Sequence, residues 1–284
     1  MGLYDRDYTQ ADFHSRPHYA PQMRFNFPRI TPVVKWLLIT NIAVFLTVII
    51  IKPLGYFIYE WFSLEPTSLP RALQLWRLIT YQFLHNPVRI SHIFGNMIGL
   101  FFLGPTLERH WGSKKFLIFY LCCGVAGGLF YMLLVSTHFL GAGSMVGASG
   151  AILGLLAACA ILFPQFVVFI IIFPVPIRVA AIGLIAVYLV AVLTKVTNAG
   201  GDAAHLAGMV AGAGYVLSKP WRERFKLKMK AGSWERKITE QRSLQYEVDR
   251  ILQKVNDSGI HSLTSREKKI LKKATETEQN RYKS

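Results

Sequence analysis

The sequence predicts an all-α fold: a polytopic membrane protein built as a bundle of six transmembrane helices, with a short helical extension at its C-terminus. Apolar residues make up 52% of the 284-residue chain and charged residues 17%, against roughly 25% charged residues in an ordinary soluble domain. Between Phe116 and Val196 only Arg178 and Lys195 carry a formal charge. Basic residues instead gather from Lys219 onward, where 18 Lys and Arg accompany 9 Asp and Glu. A water-soluble enzyme is excluded, because soluble folds do not keep so long a segment almost free of charge.

Three segments are predicted: a cytoplasmic N-terminal tail over 1–32, a six-span domain over 33–218 and a basic cytoplasmic tail over 219–284. The acidic Asp5, Asp7 and Asp12 argue against a targeting peptide at the N-terminus. About 20 apolar residues cross a bilayer, and fewer suffice in a helix that its neighbours shield. The predicted spans are Val33–Ile51, Ser91–Leu103, Lys115–Val135, Gly147–Phe163, Arg178–Leu193 and His205–Leu217. Gly104-Pro105 is expected to end the second span, and the short apolar piece 166–173 is expected to lie in the membrane interface.

The distribution of Lys and Arg predicts the orientation of the bundle. Basic residues are concentrated in the N-terminal tail, in the turn 105–115 and in the C-terminal tail. Because cytoplasmic loops carry the excess of Lys and Arg, both termini are predicted to be cytoplasmic. The loops 53–90, 136–148 and 195–204 then face outward. The chain is accordingly expected to be a multi-pass protein of the cell membrane.

Four polar residues occupy predicted spans, where polar groups are costly and usually serve function. His92 and Asn96 lie one helical turn apart, Ser149 opens the fourth span, and His205 opens the sixth. Each alone could be a serine bonded to its own backbone or an interhelical hydrogen bond. All four are expected at the outer end of the bundle, where they fit a nucleophile, a base and two oxyanion stabilisers. Asp202 is expected outside, in a loop, so a Ser149–His205 dyad is predicted rather than a triad.

Glycines recur at helical spacing on the two helices that carry the predicted dyad. They are Gly147, Gly150 and Gly154 on the fourth span, and Gly208 and Gly212 on the sixth. Small residues allow two helix backbones to approach closely in lipid. The pattern therefore predicts direct contact between these two helices. Such contact is required if Ser149 and His205 are to lie within hydrogen-bonding distance of each other.

Taken together, these motifs resemble the rhomboid family of intramembrane serine proteases over residues 33 to 218. The residues that carry the resemblance are Trp76-Arg77, His85, His92 with Asn96, Gly147-Ala148-Ser149-Gly150, and Ala204-His205 with Gly208 and Gly212. The resemblance implies a six-helix core, Ser149 as nucleophile, His205 as base, and His92 and Asn96 at the oxyanion hole. It also implies structural roles for Glu108, just past the second span, and for the Trp76-Arg77 pair.

The chain departs from the family pattern at one position near the predicted base. Many members carry an aromatic residue one turn after the serine, stacked on the histidine, and this chain has Leu153 there. The resemblance therefore predicts that His205 lacks this stacking partner and is held by packing alone.

The basic tail is predicted to hold two short helices. Val248, Ile251, Leu252 and Val255 follow helical spacing up to Gly259. Thr264-Ser265-Arg266-Glu267 has the pattern of a capping box for a second helix through Ala274. The stretch Ser262–Leu271 resembles an extension found on some bacterial rhomboids.

The start of the tail carries a cluster of basic residues that is expected to attract anionic lipid: Lys219, Arg222, Arg224, Lys226, Lys228 and Lys230. Nucleic-acid binding is the alternative, and no nucleic-acid-reading motif accompanies it.

The predicted function is an intramembrane serine endopeptidase that cuts transmembrane protein substrates near their outer ends. The alternative is a catalytically silent rhomboid-like protein that binds membrane clients, although such a binder needs neither Ser149 nor His205. A transporter would show repeated halves, and a metalloprotease would show ligand spacing such as HExxH.

No cofactor and no metal are predicted. Cys122, Cys123 and Cys159 lie in apolar runs, where free thiols usually pack as small apolar groups.

Overall fold

The computed structural model describes residues 29–170, 173–195 and 198–282, so nearly all of the predicted N-terminal tail over 1–32 lies outside the described residues. The described chain is mostly helical, with one two-stranded sheet. Its contacts divide it into two compact units, residues 1–213 and 214–284. The helices are α1 (Pro32–Ile50), α2 (Lys52–Phe62), α3 (Leu69–Ala72), α4 (Arg77–Thr80), α5 (Ile90–Trp111), α6 (Ser113–Ser136), α7 (Ser149–Leu162), α8 (Ile177–Leu193), α9 (Ala199–Leu217), α10 (Lys219–Ser258) and α11 (Ser265–Tyr282).

Three of these helices, α1, α5 and α6, are long and apolar enough to cross a membrane. Two further apolar helices, α7 and α8, are shorter, and α9 carries the polar side chains of Asp202 and His205. The protein is therefore a membrane-embedded, multi-pass protein. The bounds of α1, α6, α7 and α8 lie within two residues of the corresponding predicted spans. Helix α5 ends later than the second predicted span, and α9 begins earlier than the sixth.

Helix α5 does not end at Gly104-Pro105, as the sequence predicted, but continues to Trp111. Pro105 lacks the N–H that would bond the carbonyl of residue 101, a loss that packed membrane helices tolerate. Gly104 serves close packing here, because a Cβ atom at this position would lie 2.6 Å from the Cγ2 atom of Val34 on α1. Glu108 consequently lies within the last turn of α5 and not beyond it.

The buried carboxylate of Glu108 joins the ends of three helices. It accepts hydrogen bonds from the backbone N–H groups of Val33 and Val34, both at 3.0 Å. It also accepts hydrogen bonds from the hydroxyls of Thr31 and of Ser113, the latter at 2.7 Å. The first N–H groups of a helix have no partner within it, so Glu108 caps α1 while holding the start of α6. This geometry fits the predicted structural role.

The long connection between α1 and α5 is folded around the Trp76-Arg77 pair. The guanidinium of Arg77, 2% exposed, donates to the carbonyls of Ser63 at 2.6 Å and Glu60 at 2.7 Å. The indole N–H of Trp76 donates to the carbonyl of Trp61 at 3.1 Å. The pair thus fastens α4 to the end of α2, as expected of residues that shape this loop. A 3-10 turn over Tyr81–Phe83 follows α4.

The apolar piece after α7 forms an antiparallel hairpin, which an all-α fold did not anticipate. Strand β1 (Val167–Ile170) pairs with β2 (Phe173–Pro176), with Val167 opposite Pro176 and Phe169 opposite Pro174. The two prolines alternate along β2, so their missing N–H groups lie on the same edge of a two-stranded sheet. The β-branched and aromatic residues of this segment also favour strands.

The second unit holds one long helix and one shorter helix rather than two short ones. Helix α10 has 40 residues and ends at Ser258; Gly259 follows it with a φ of +76°, which suits glycine. The capping box is confirmed: the N–H of Thr264 donates to Glu267 at 2.8 Å, and the N–H of Glu267 donates to the Thr264 hydroxyl at 3.3 Å. Hydrogen bonding from the Thr264 backbone and from Lys254, whose Nζ lies 3.0 Å away, lowers the pKa of Glu267 to about 2. Ile251 is fully buried in this unit.

Candidate active site

The segment before α7 positions Ser149 at the first residue of that helix. The backbone of this segment is fixed by a hydrogen bond from the Gly147 N–H to the carbonyl of Tyr81 (2.9 Å). Two backbone hydrogen bonds between Leu64 and Met145 (3.0 and 2.8 Å) also hold it. The hydroxyl of Tyr131 contacts both the carbonyl and the N–H of Gly143 at 2.9 Å. The segment that leads into Ser149 is therefore held by hydrogen bonds from three other parts of the chain.

Gly147 is needed for two separate reasons. Its φ is +131°, a conformation that side chains disfavour. In addition, a Cβ atom there would lie 2.8 Å from the Nε2 atom of His92. The turn before Ser149 is thus shaped to admit the His92 ring.

Helices α7 and α9 touch through their backbones, as the glycine pattern predicted. A Cβ atom at Gly208 would lie 2.0 Å from the carbonyl oxygen of Gly150, and one at Gly212 would lie 2.3 Å from that of Gly154. Through this contact the Nε2 atom of His205 reaches 2.6 Å from the Oγ atom of Ser149. The predicted pair is brought together within hydrogen-bonding distance.

His205 has two further neighbours that the sequence analysis did not assign to it. Helix α9 begins at Ala199, six residues before the predicted start of the sixth span, so Asp202 lies in its first turn and not in a loop. The Oδ1 atom of Asp202 lies 3.6 Å from the Nδ1 atom of His205. On α8, the ring of Tyr188 lies 4.6 Å from the His205 ring, centre to centre, tilted by 58°. An aromatic neighbour is therefore present, although it comes from α8 and not from the turn that holds Leu153.

Signals for both neighbours exist in the sequence. Tyr188 is the one aromatic residue of the apolar helix α8. Asp202 and His205 are three residues apart, a spacing that places two side chains on the same face of a helix. That spacing becomes informative only when the helix is known to start before Asp202.

The two predicted oxyanion residues differ in their surroundings. His92 lines the cavity with Ser149 and His205. Asn96 is buried, donates its Nδ2 to the carbonyl of His92 at 2.9 Å, and is not among the residues that line the cavity. His85, from the first long connection, packs on His92 with 5.2 Å between ring centres. Burial, with a smaller effect of His92, lowers the pKa of His85 to about 3, so this imidazole is neutral at physiological pH.

The site opens into a cavity of about 720 Å³, within the range that accommodates small-molecule ligands. Ser149, His92 and His205 line it together with Asn86, Arg89, Lys195 and Asn198, among others. The first N–H groups of α7 have no acceptor within their helix and can stabilise negative charge beside Ser149. In the described part of the chain, no three His, Cys, Asp or Glu side chains are grouped so as to hold a metal ion.

Comparison with known proteins relates this arrangement to one family. Residues 72–220 match the Rhomboid domain, and residues 235–276 match a family of unknown function (DUF6576). The chain is 32% identical over 167 residues to RHOMBOID-like protein 12, mitochondrial, of Arabidopsis thaliana, covering 54% of this chain and 49% of that protein. It is 34% identical over 97 residues to the Rhomboid protease GluP of Bacillus subtilis (strain 168), covering 34% of this chain and 18% of that protein. It is 35% identical over 96 residues to RHOMBOID-like protein 1 of Arabidopsis thaliana, covering 34% and 23%. The chain thus spans about half or less of the length of these curated relatives.

Proposed function

Because the chain belongs to the rhomboid family, we propose that it is an intramembrane serine endopeptidase with Ser149 as nucleophile and His205 as general base. The single observation that carries the proposal is the 2.6 Å contact between Ser149 Oγ and His205 Nε2 beside a cavity. A serine hydroxyl is a weak nucleophile until an adjacent base takes its proton. Imidazole is the side chain best suited to that exchange near neutral pH.

The proposed reaction has two halves. Ser149 Oγ attacks the carbonyl carbon of the scissile bond while its proton passes to His205 Nε2. The tetrahedral intermediate collapses as the same proton is delivered to the leaving amine, which leaves an acyl ester on Ser149. A water molecule then gives a proton to His205 and attacks the ester, and collapse returns the proton to Ser149. The net change is hydrolysis of one peptide bond.

His92 and Asn96 are proposed to stabilise the oxyanion together with the backbone N–H of Ser149. His92 is the better placed of the two, since it lines the cavity beside the nucleophile. An amide nitrogen carries two hydrogens, so Asn96 keeps one for the oxyanion after bonding the His92 carbonyl. Donors preorganised in a site with little water are worth roughly 10²–10³ in rate each.

We further propose six spans, with both termini cytoplasmic and the site opening toward the outer face. The excess of Lys and Arg in the N-terminal tail, the 105–115 turn and the C-terminal tail supports this orientation. In the first part of α10, Lys219, Arg224 and Lys228 are exposed, and the side chains of Lys226 and Lys230 lie outside the described residues. Each cation near a membrane surface adds about 1 kcal/mol of attraction to anionic lipid, so the basic tail is proposed to bind such lipid.

Transmembrane proteins are the proposed substrates, cut near the outer ends of their spans. A peptide carbonyl inside a helix is not accessible to a nucleophile, and unsatisfied backbone groups in lipid cost several kcal/mol. Segments with Gly or Pro unwind most readily, because these residues are poor helix formers. In a model substrate, replacing a Gly- and Pro-containing outer half-span by leucines is expected to abolish cleavage at the original bond. Mass-spectrometric mapping of the products checks this.

Labelling by a serine-directed fluorophosphonate tests the activity. Purified protein in detergent is expected to label, whereas Ser149→Ala is expected not to. Ser144→Ala is the matched control, because Ser144 lines the same cavity and its removal should leave labelling intact. Absence of Ser149-dependent labelling would refute the protease proposal and favour a silent client-binding protein.

A further inference from the structure

We propose that Asp202 is a positioning residue for the catalytic base, so that Asn198, Asp202, His205 and Ser149 form one connected chain. The inference rests on the proposed function and adds a third member to the expected dyad. All four residues belong to the described part of the first unit.

The Nδ1 atom of His205 lies near the carboxylate of Asp202. It is fully buried and has no hydrogen-bond partner in the described part of the chain, yet the Oδ1 atom of Asp202 lies 3.6 Å away. Both side chains are largely buried, with exposed fractions of 14% for His205 and 10% for Asp202. A separation of 3.6 Å is too long for a hydrogen bond, but catalytic contacts are often long in the free enzyme and shorten during reaction.

The carboxylate is itself fixed from the other side. The Nδ2 atom of Asn198 donates to Asp202 Oδ1 at 3.3 Å, and the Asp202 N–H bonds the Asn198 carbonyl at 3.0 Å. Asp202 is therefore held in the first turn of α9, one turn before His205. Such an arrangement presents the carboxylate to the imidazole edge opposite Ser149.

Charge accounts for what this arrangement would do. When Ser149 gives its proton to Nε2, the ring becomes a buried cation whose Nδ1–H points to the Asp202 side. The other groups near the ring are Tyr188 from α8, His92 from α5, and Arg89 and Lys195 in the cavity. None of these is an anion, and no acid occurs among the cavity-lining residues that the structure describes. Asp202 is thus the group able to stabilise the imidazolium.

The contact also fixes the orientation of the ring. The Tyr188 ring packs against the His205 ring at 4.6 Å between centres, tilted by 58°, while Asp202 lies near Nδ1. A ring constrained on its face and at its edge keeps Nε2 directed at Ser149, which is the function of an orienting group in a nucleophile–base pair.

A pH profile separates this role from a structural one. An acid in the first turn of a helix also stabilises that helix, so loss of activity in Asp202→Asn would be ambiguous. Full-length protein in detergent would be assayed on one model substrate across pH 5–9, as wild type, Asp202→Asn, Asp202→Glu and Asp257→Asn. Asp257 lies on α10 in the second unit and serves as the matched control.

In Asp202→Asn, kcat is expected to fall at least about tenfold with KM within about twofold. The acid limb of the kcat/KM profile should move to lower pH, because the variant lacks the nearby negative charge that favours the protonated imidazole. Asp202→Glu should restore part of the shift, and Asp257→Asn should match the wild type.

Two results are distinguishable. If wild type labels and cleaves, but Asp202→Asn keeps the wild-type pH profile or loses activity only in step with its thermal stability, the inference is overturned alone. If wild type neither labels nor cleaves, the proposed function itself fails.

Discussion

Adding one methyl group at Gly208 should separate the catalytic pair without touching either of its members. A Cβ atom there would lie 2.0 Å from the carbonyl oxygen of Gly150, whereas ordinary contacts lie at 3.4–4 Å. Helices α7 and α9 must therefore move apart by more than about 1 Å, since backbone cannot rotate away as a side chain can. Gly150 adjoins Ser149 and Gly208 lies one turn after His205, so the 2.6 Å contact between these two side chains opens beyond hydrogen-bonding reach.

Gly208→Ala is expected to lower turnover by about 100-fold, the usual result of a 1 Å misplacement, and to cost about 1–3 kcal/mol of stability through overpacking. Cleavage of a model substrate, fluorophosphonate labelling and thermal unfolding would be measured together. Gly214→Ala is the matched control on the same helix, because a Cβ atom there meets nothing within 4 Å among the described residues. Wild-type cleavage and labelling in Gly208→Ala would refute the argument that backbone contact sets the geometry of the site.

Three further outcomes are expected. Ser149→Ala and His205→Ala should each abolish cleavage of a model substrate, and the double variant should be no worse, because residues that act as a unit are not additive; substantial turnover in His205→Ala would point to another base. His92→Ala should cut kcat by one to three orders of magnitude with a smaller effect on KM, and Asn96→Ala should do the same or less, since its amide also bonds its own helix; a change confined to thermal stability would contradict the oxyanion role. In the tail unit, the depressed pKa of Glu267 means that its carboxylate stabilises the start of α11 above about pH 4.3, its unfolded value, and that this contribution is lost as the pH falls through about 2. Amide exchange in α11 should therefore be faster in Glu267→Gln than in wild type at pH 7, with the difference vanishing near pH 2, and equal exchange at pH 7 would argue against a stabilising effect of the carboxylate charge.

Residue chemistry within apolar runs was enough to single out Ser149 and His205 and to predict that their helices touch. In membrane helices, polar side chains usually serve function and small residues usually serve close packing. Both patterns can therefore be interpreted without knowledge of the fold. The position of Asp202 was missed because 195–204 was predicted to be a loop, with the sixth span starting only at His205. In the structure Gly200 lies inside α9, where a Cβ atom would meet the Tyr131 ring at 2.7 Å. The glycine serves close packing, which a single sequence does not distinguish from a turn.

The same ambiguity explains the errors at Gly104-Pro105 and in the hairpin. Proline ends helices in water, but neighbouring helices can support it in a membrane bundle, so its effect depends on tertiary contacts. The contact between Tyr188 and His205 joins two helices and has no local spacing rule. Pairing between strands and packing between helices both lie beyond what periodicity reveals.

The cap that Glu108 provides also constrains the order in which the molecule can be assembled. Val33 emerges from the ribosome 75 residues before its hydrogen-bond acceptor, and the Ser113 hydroxyl that shares this carboxylate comes five residues later still. During synthesis the first N–H groups of α1 cannot bond Glu108 until the end of α5 has been made. The cap of α1 can therefore form only after the helix that bears His92 has been synthesised. A truncated chain that stops before residue 108 should lack this cap, whereas one that extends past residue 113 should be able to form all the hydrogen bonds of Glu108.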